Sequence, residues 1–384
     1  MHTAHVNAEA ARRLKHGQTW VRFEEILRVD GPPPAGEPVR VLDPDGRPLG
    51  LADLDLEAPV AVRRIGLPQD APEGLLPRQI RRAMARRSQL LEEPRYCRLV
   101  HEEGDALPGL VVDRYGDHFA VQTFTRAMDA RAQEIARALV EVVNARSVLL
   151  RGDSPRRIQA GLPVAPTRAL FGTPPRWVRV LERGARYSVD LLGGPGAGFF
   201  YDQRALRRRV GQLAHGARVL NPFCFIGSLF VPAGLNGARS ILAFDQDRDA
   251  VDLARENVEA NGLLARAWVE REDPFQFLSA RSEPFDLVVL AAPPLPVGPS
   301  LEEDAFVLLV RLCARSTRHG GRMVVAGYHP PLPLDDFDAR VAMGCEQAGR
   351  VAYRLSRIGL PLDFPTVLGL AGAEHMSAVA VELS

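Results

Sequence analysis

Residues Val219-Leu220-Asn221-Pro222-Phe223-Cys224-Phe225-Ile226-Gly227-Ser228 read as a strand running into a tight loop and then a helix. At the first turn of a nucleotide-binding sheet, such a loop lets the backbone approach a ligand, and a glycine such as Gly227 makes room for it. Alone the signal is weak, because no G-x-G-x-x-G is present. The spacing of two downstream carboxylates strengthens it. Ile241 to Asp245 ends a second strand with an aspartate about 20 positions beyond the loop, where a ribose hydroxyl pair would be gripped. A third strand is followed by Asp273, placed to meet an adenine amino group. Either aspartate taken singly would be a turn or helix cap. In series at the ends of consecutive strands, they favour an adenosine-containing ligand. A pyrophosphate-bearing dinucleotide wants a glycine-rich loop that Ile226 and Ser228 do not provide, so S-adenosylmethionine, which carries no phosphate, is favoured over NAD. The fourth strand ends in Ala291-Ala292-Pro293-Pro294, whose two prolines make a rigid extended lip beside the ligand.

The elements that must position these residues alternate. Strand-like runs at Arg218 to Asn221, Ser240 to Phe244, Ala267 to Glu270, Asp286 to Leu290 and Arg322 to Ala326 are separated by helical stretches such as Asp249 to Asn261. That grammar predicts a parallel sheet with helices on both faces, an α/β fold. Upstream, Tyr96 to about Asp190 reads as an α+β region. It has a hairpin at Leu110 to Tyr115 and Phe119 to Phe124, a helix from Asp129 to Asn144, and strands at Ser147 to Arg151, Trp177 to Leu181 and Arg186 to Asp190. From about Val6 to Ile65, short apolar stretches between Gly/Pro/Asp turns predict a small β domain. Gly66 to Gly74 reads as a linker, and Pro77 to Leu91 as a helix rich in arginine. A run of charge is usually a solvated face, so RNA contact by that helix needs other support.

Composition narrows the class. The chain has 384 residues, 46% hydrophobic and 25% charged, long enough for two or three globular domains and inconsistent with wholesale disorder. Lys15 is the only lysine, and a net charge of +1 does not by itself announce a nucleic-acid binder. Cys97, Cys224, Cys313 and Cys345 lie far apart without metal-ligand spacing, so neither a disulfide framework nor a zinc site is expected. No apolar run approaches a membrane span, and Met1 to His5 lacks the layout of a signal peptide, so a cytoplasmic protein is expected.

Nearly end to end, the chain resembles the large-subunit rRNA methyltransferases that act on carbon 5 of cytosine, the type with an N-terminal PUA domain. The residues that carry this are Leu14 to Val29 with Gly17, Trp20 and Glu24-Glu25-Ile26; Arg98 to Asp105 and Leu107 to Gly116; Arg151-Gly152-Asp153; and Gly198-Phe199-Phe200-Tyr201-Asp202-Gln203-Arg204. The resemblance implies a PUA-like β domain (1–70), a linker helix with a middle α+β domain (71–192), and a Rossmann-like methyltransferase domain with a mostly parallel seven-stranded sheet (193–384). It also implies S-adenosylmethionine as cofactor and ribosomal RNA as partner, with no membrane; a homodimer is left open. Donor contacts are expected from Gly198, Phe199, Asn221, Phe223, Gly227, Asp245, Asp273 and Pro293. RNA contacts are expected from the PUA-like domain and from Arg81, Arg82, Arg86, Arg151, Asp153 and Arg156.

Four departures from the family pattern bear on chemistry. Pro195-Gly196-Ala197-Gly198 stands where the family has Gln-Lys-Thr-Gly, and Asn221 and Ile226-Gly227-Ser228 stand where it has Asp and Thr-Gly-Gly. Ala292 replaces the Asp of Asp-Pro-Pro, and Ala326-Gly327-Tyr328 replaces a Ser-Cys-Ser whose cysteine is the nucleophile. Carbon 5 of cytosine becomes nucleophilic only after a thiolate adds to the neighbouring ring carbon and an acid stabilises the adduct. Two readings remain. One is a methyltransferase for an intrinsically nucleophilic nitrogen or ribose hydroxyl, with Tyr328 or His329 as base or stacking platform. The other is a non-catalytic RNA-binding or ribosome-assembly protein that keeps the fold.

Overall fold

The computed structural model describes residues 2–280, 284–293, 295, 304–328, 334–368 and 375–384. Two compact units divide it: Met1–Val178, Asp190–Gly198 and Leu362–Ala371 form one, and Arg179–Val189, Phe199–Pro361 and Gly372–Ser384 the other.

The first unit opens with six strands, Thr3–Val6 (β1), Trp20–Arg22 (β2), Ile26–Asp30 (β3), Val39–Leu42 (β4), Pro48–Leu54 (β5) and Val60–Gly66 (β6), in the sheet order β2-β6-β5-β4-β1-β3. Helix Ala8–Lys15 (α1) is started by Asn7, whose side chain accepts the Ala10 N–H. Alternating residues such as Val39 and Val41 turn into a core with Ala4, Val6, Leu14 and Val21. The arginine-rich helix, Leu75–Leu90 (α2), follows. Strands Tyr96–His101 (β7), Leu110–Tyr115 (β8), His118–Thr123 (β9), Ser147–Leu150 (β10) and Arg168–Phe171 (β11) form a second sheet in the order β11-β10-β9-β8-β7. Leu51 and Ile65, from β5 and β6, join Ile80, Leu99, Phe119 and Leu139 in one apolar core, so the two sheets share an interior.

The helix expected over 129–144 is two helices, Arg126–Ala130 (α3) and Ala132–Val143 (α4), and a short turn, Arg156–Gln159 (α5), comes later. The break falls at Arg131, whose buried guanidinium reaches Asp53 over 2.8 Å and bonds the Gly36 carbonyl. That long-range pairing has no local signature. A hairpin of Trp177–Glu182 (β12) and Ala185–Asp190 (β13) turns through Arg183 and Gly184, both at positive φ (49° and 82°), the conformation that two-residue hairpin turns require.

The second unit is built on seven strands: Arg218–Pro222 (β14), Ser240–Asp245 (β15), Ala267–Arg271 (β16), Phe285–Ala292 (β17), Thr317–Tyr328 (β18), Ala352–Arg357 (β19) and Met376–Leu383 (β20). Their order is β16-β15-β14-β17-β18-β20-β19. The first five are parallel, and β20 runs antiparallel to both neighbours. Helices Arg204–Leu213 (α6), Phe230–Leu235 (α7), Arg248–Ala260 (α8), Pro274–Ala280 (α9), Ala305–Arg315 (α10) and Leu334–Gln347 (α11) connect or precede them. The expected α/β domain with a mostly parallel seven-stranded sheet is therefore present. Leu287 to Leu290 and Met323 to Ala326 are buried without alternation, as strands covered on both faces must be. Successive strands step away from β14 in one direction and then, from β17, in the other, which makes the carboxyl end of β14 the switch point where ligands of such sheets bind.

Candidate active site

At that switch point the chain takes an unusual path. Phe223 and Phe225 both hold positive φ (54° and 49°), with Gly227 following at 84°. Left-handed backbone at a bulky residue is strained, and such strain collects at ligand sites. At Gly227 a Cβ would also stand 2.7 Å from the Phe230 ring, so space and backbone both demand glycine there. The loop is tied down by the Cys224 N–H on the Phe244 carbonyl (3.1 Å) and by the Phe225 N–H on Asp245 Oδ2 (2.9 Å). Asp245 Oδ1 accepts the Asp247 N–H at 3.1 Å. Burial pushes the Asp245 carboxyl above its ordinary pKa, against the pull of these N–H groups. Asn221 is fully buried; its Nδ2 donates to the Val289 carbonyl (2.9 Å), while its Oδ1 is buried with no partner among the described residues.

The remaining expected donor residues are placed differently from one another. Asp273 caps α9, accepting the Phe275 and Gln276 N–H groups at 2.8 and 3.1 Å, which is the duty a lone aspartate there would have anyway. Phe223 meets Phe275 edge-on at 6.2 Å, and Pro293 is exposed just beyond β17. Phe199 is in the core between Tyr187 and Tyr201 (5.2 Å each), with the Arg207 guanidinium 4.5 Å over its ring. Its neighbour Phe200, half-buried, faces Phe225 (5.4 Å) and Tyr328 (6.1 Å), so the ring beside the loop is Phe200. Gly198 closes the first unit at a φ of 82°.

Beyond Phe200 lies a polar cluster. Gln203 Nε2 donates to the Tyr328 hydroxyl (2.9 Å), and that hydroxyl donates to Asp202 Oδ1 (3.4 Å). Asp202 Oδ2 is 2.8 Å from His375 Nε2, and the Tyr328 and His375 rings stack at 6.3 Å. Burial and the Asp202 charge push the Tyr328 phenol well above its ordinary pKa. Ala292 and Gly327 are direct partners across β17 and β18, and neither carries a functional group. His329 and Pro294 lie outside the described residues. Sequence reasoning did not single out Phe200, Phe225 or His375 for roles at the site. Asp202 and Gln203 were visible only as part of a motif, and nothing near His375 in the chain signals it.

Residues 98–376 match the family described as S-adenosylmethionine-dependent methyltransferase, and residues 4–65 match a PUA-like domain. The chain belongs to the S-adenosylmethionine-dependent methyltransferase family. Ribosomal RNA large subunit methyltransferase I of Tolumonas auensis is 32% identical over 301 residues, covering 76% of each chain. A proposed SAM-dependent methyltransferase from Streptococcus mutans shares the fold over the whole of both chains, with a TM-score of 0.79 at 20% identity. So does a proposed methyltransferase crystallised with S-adenosylhomocysteine, with a TM-score of 0.81 at 20% identity. The methyl donor of this family suits the residues present: the Asn221 Oδ1, without a partner among the described residues, is an acceptor for an N–H, and the Asp245 carboxylate retains acceptor capacity for hydroxyls.

In this methyltransferase most of the arginines expected to meet RNA already have partners in the first unit. Arg81 pairs with Glu141 (2.8 Å), Arg86 with Asp105 (2.6 Å), and Arg156 with both oxygens of Glu102. Arg151 is buried, bonded to Asp153 (2.7 Å) and to the Leu191 and Gly194 carbonyls. It braces the chain and does not face solvent. A cleft of about 310 Å³ between α2 and the first sheet is lined by Thr19, Arg64, Gln79, Arg82, Arg86 and Glu103, among others. Among the described residues, the Arg64 guanidinium there bonds the Leu14 carbonyl and no carboxylate, and burial draws its pKa down. Arg82 has Gln79 rather than a carboxylate, and the buried Thr19 hydroxyl has no partner among the described residues. Among the described residues, no helix is long and apolar enough to cross a membrane.

Proposed function

We propose that this chain methylates large-subunit ribosomal RNA at a nitrogen or ribose oxygen, and not at carbon 5 of cytosine. The observation that carries this is the pairing of Ala292 with Gly327 across β17 and β18. In the family that the sequence resembles, these two strand ends hold the acid and the thiol that carbon-5 chemistry requires. Here they hold neither. No other cysteine supplies the thiolate: the Cys224 thiol is buried in the donor loop and pushed well above its ordinary pKa by burial and by Asp245. Cys313 and Cys345 sit in the core of the sheet, the latter pushed up to about 11. Cys97 is buried in the first unit.

The bound donor supplies an electrophilic methyl group on a positively charged sulfur. Asp245 would take the ribose hydroxyls, Asn221 Oδ1 an N–H, and Asp273 the adenine amino group, with Phe223 as an apolar wall. A nitrogen or oxygen acceptor needs placement near that methyl more than covalent activation, and placement alone is worth many orders of magnitude in rate. For RNA, the cleft with Arg64 and Arg82 offers guanidinium charge without a carboxylate partner among the described residues, which suits a phosphate. The test is transfer of labelled methyl to protein-free large-subunit rRNA, followed by nucleoside mass analysis. An N-methyl base or 2′-O-methyl nucleoside is expected. 5-Methylcytidine would overturn the chemical assignment, and donor binding without transfer to any ribosomal RNA would leave a non-catalytic RNA-binding protein.

A further inference from the structure

We infer that Asn257 and Tyr187 are positioning residues for the methyl donor: by capturing the Ile226 and Ser228 carbonyls, they hold the donor loop in the shape that receives S-adenosylmethionine. This rests on the methyltransferase reading above and specifies what shapes its donor site. The loop needs such support. Phe223 and Phe225 keep left-handed backbone (φ 54° and 49°), which bulky side chains disfavour, so a chain free to relax would leave this shape. Asp245 and the Phe244 carbonyl fix two of its N–H groups, those of Phe225 and Cys224. The carbonyls of its second half are fixed by other elements.

Those elements are α8 and β13. Asn257, on α8, is fully buried. Its Nδ2 donates to the Ile226 carbonyl at 2.9 Å and to the Ser188 carbonyl of β13 at 3.3 Å, while its Oδ1 accepts the Ser188 N–H at 2.6 Å. Two carbonyls and one N–H suit a carboxamide in one orientation, and a carboxylate, which cannot donate, does not replace it. One residue earlier on β13, the buried Tyr187 hydroxyl donates to the Ser228 carbonyl at 3.3 Å. Burial raises the pKa of that phenol, so it keeps its proton and remains a donor. The Tyr187 ring packs against Phe199 at 5.2 Å, and the Arg207 guanidinium lies 4.5 Å over the Phe199 ring. Phe199 thus serves the donor loop through Tyr187, and the β12–β13 hairpin, which is separate from the seven-stranded sheet, belongs to the support of the donor site. Asn261, just past α8, grips the same hairpin without bonding the loop: it donates to the Arg186 carbonyl at 2.6 Å and accepts the Arg186 N–H at 2.9 Å.

The experiment measures association and dissociation rates of S-adenosylmethionine, with the thermal midpoint, in the full chain for wild type, Asn257→Ala, Tyr187→Phe and Asn261→Ala. A loop that is only partly in its receiving shape lowers apparent affinity by that fraction, and the loss falls on association. Asn257→Ala should weaken donor binding by about 10- to 100-fold and Tyr187→Phe by roughly 3- to 10-fold, both through slower association with dissociation near that of wild type. Asn261→Ala should lower the midpoint yet bind the donor as wild type does. Tyr187→Phe removes a single oxygen and carries the test if Asn257→Ala does not fold. Wild-type association in Tyr187→Phe overturns the positioning role alone. So does a loss carried by faster dissociation, or one that Asn261→Ala shares in full. A wild-type chain that binds no donor at millimolar S-adenosylmethionine overturns the methyltransferase reading and the positioning role with it.

Discussion

Asp245 is the single residue on which most depends. It is the point where the donor loop, the second strand of the sheet and the ribose of the donor would meet. Replacing it with alanine should weaken S-adenosylmethionine binding by about 10- to 100-fold, the value of one or two hydrogen bonds to a charged group. Because burial raises its pKa, the carboxylate becomes protonated at a higher pH than an ordinary aspartate. Donor affinity should be full above that raised pKa and fall as pH drops through it, an effect that Asp245→Asn should abolish when affinity is measured across the acid range. Gly227→Ala combines a positive φ with a 2.7 Å clash, and should lower stability by roughly 1–3 kcal/mol in chemical denaturation. Both residues were legible in the sequence through strand-loop-helix spacing. Phe200 was not, because the motif Gly198-Phe199-Phe200 does not say which ring turns inward. Nor was His375, whose partner Asp202 is 173 residues away.

Among the elements, α2 shows how a charge run misleads. Its arginines read as one basic face, yet Arg87 is buried and bonds both oxygens of Asp105, and Arg86 bonds the same carboxylate. Asp105 also accepts the His101 N–H at 2.7 Å. Asp105→Ala should therefore destabilise the first unit by about 3–5 kcal/mol, the cost of leaving a buried guanidinium without its partner, as read from a denaturant midpoint. Partners so distant in sequence leave no local periodicity, which is also why the break at Arg131 was invisible. The five parallel strands were legible from their apolar runs. Strands β19 and β20 were not singled out, although seven were expected, because Ala352–Arg357 is a largely exposed edge that mixes Tyr353 and Leu355 with charge.

For the whole molecule, a net charge of +1 concealed where RNA would be held. Most of the arginines singled out for RNA are paired with carboxylates, and Arg64 and Arg82 of the cleft stand out because, among the described residues, they are not. The Arg64→Ala, Arg82→Ala double variant should weaken rRNA binding and reduce the slope of log affinity against log salt by about 2, leaving donor affinity unchanged. Removing the PUA-like domain is a poorer test, because Leu51 and Ile65 belong to the shared core and Asp53 neutralises the buried Arg131. The domain match and the sheet order agree on an S-adenosylmethionine-dependent methyltransferase fold, and the central claim of the proposal is that its donor loop binds the methyl donor. Isothermal titration of the full chain with S-adenosylmethionine and S-adenosylhomocysteine tests this most directly. Roughly micromolar affinity for both, lost in Asp245→Ala, is the expected result. No binding at millimolar ligand would contradict it.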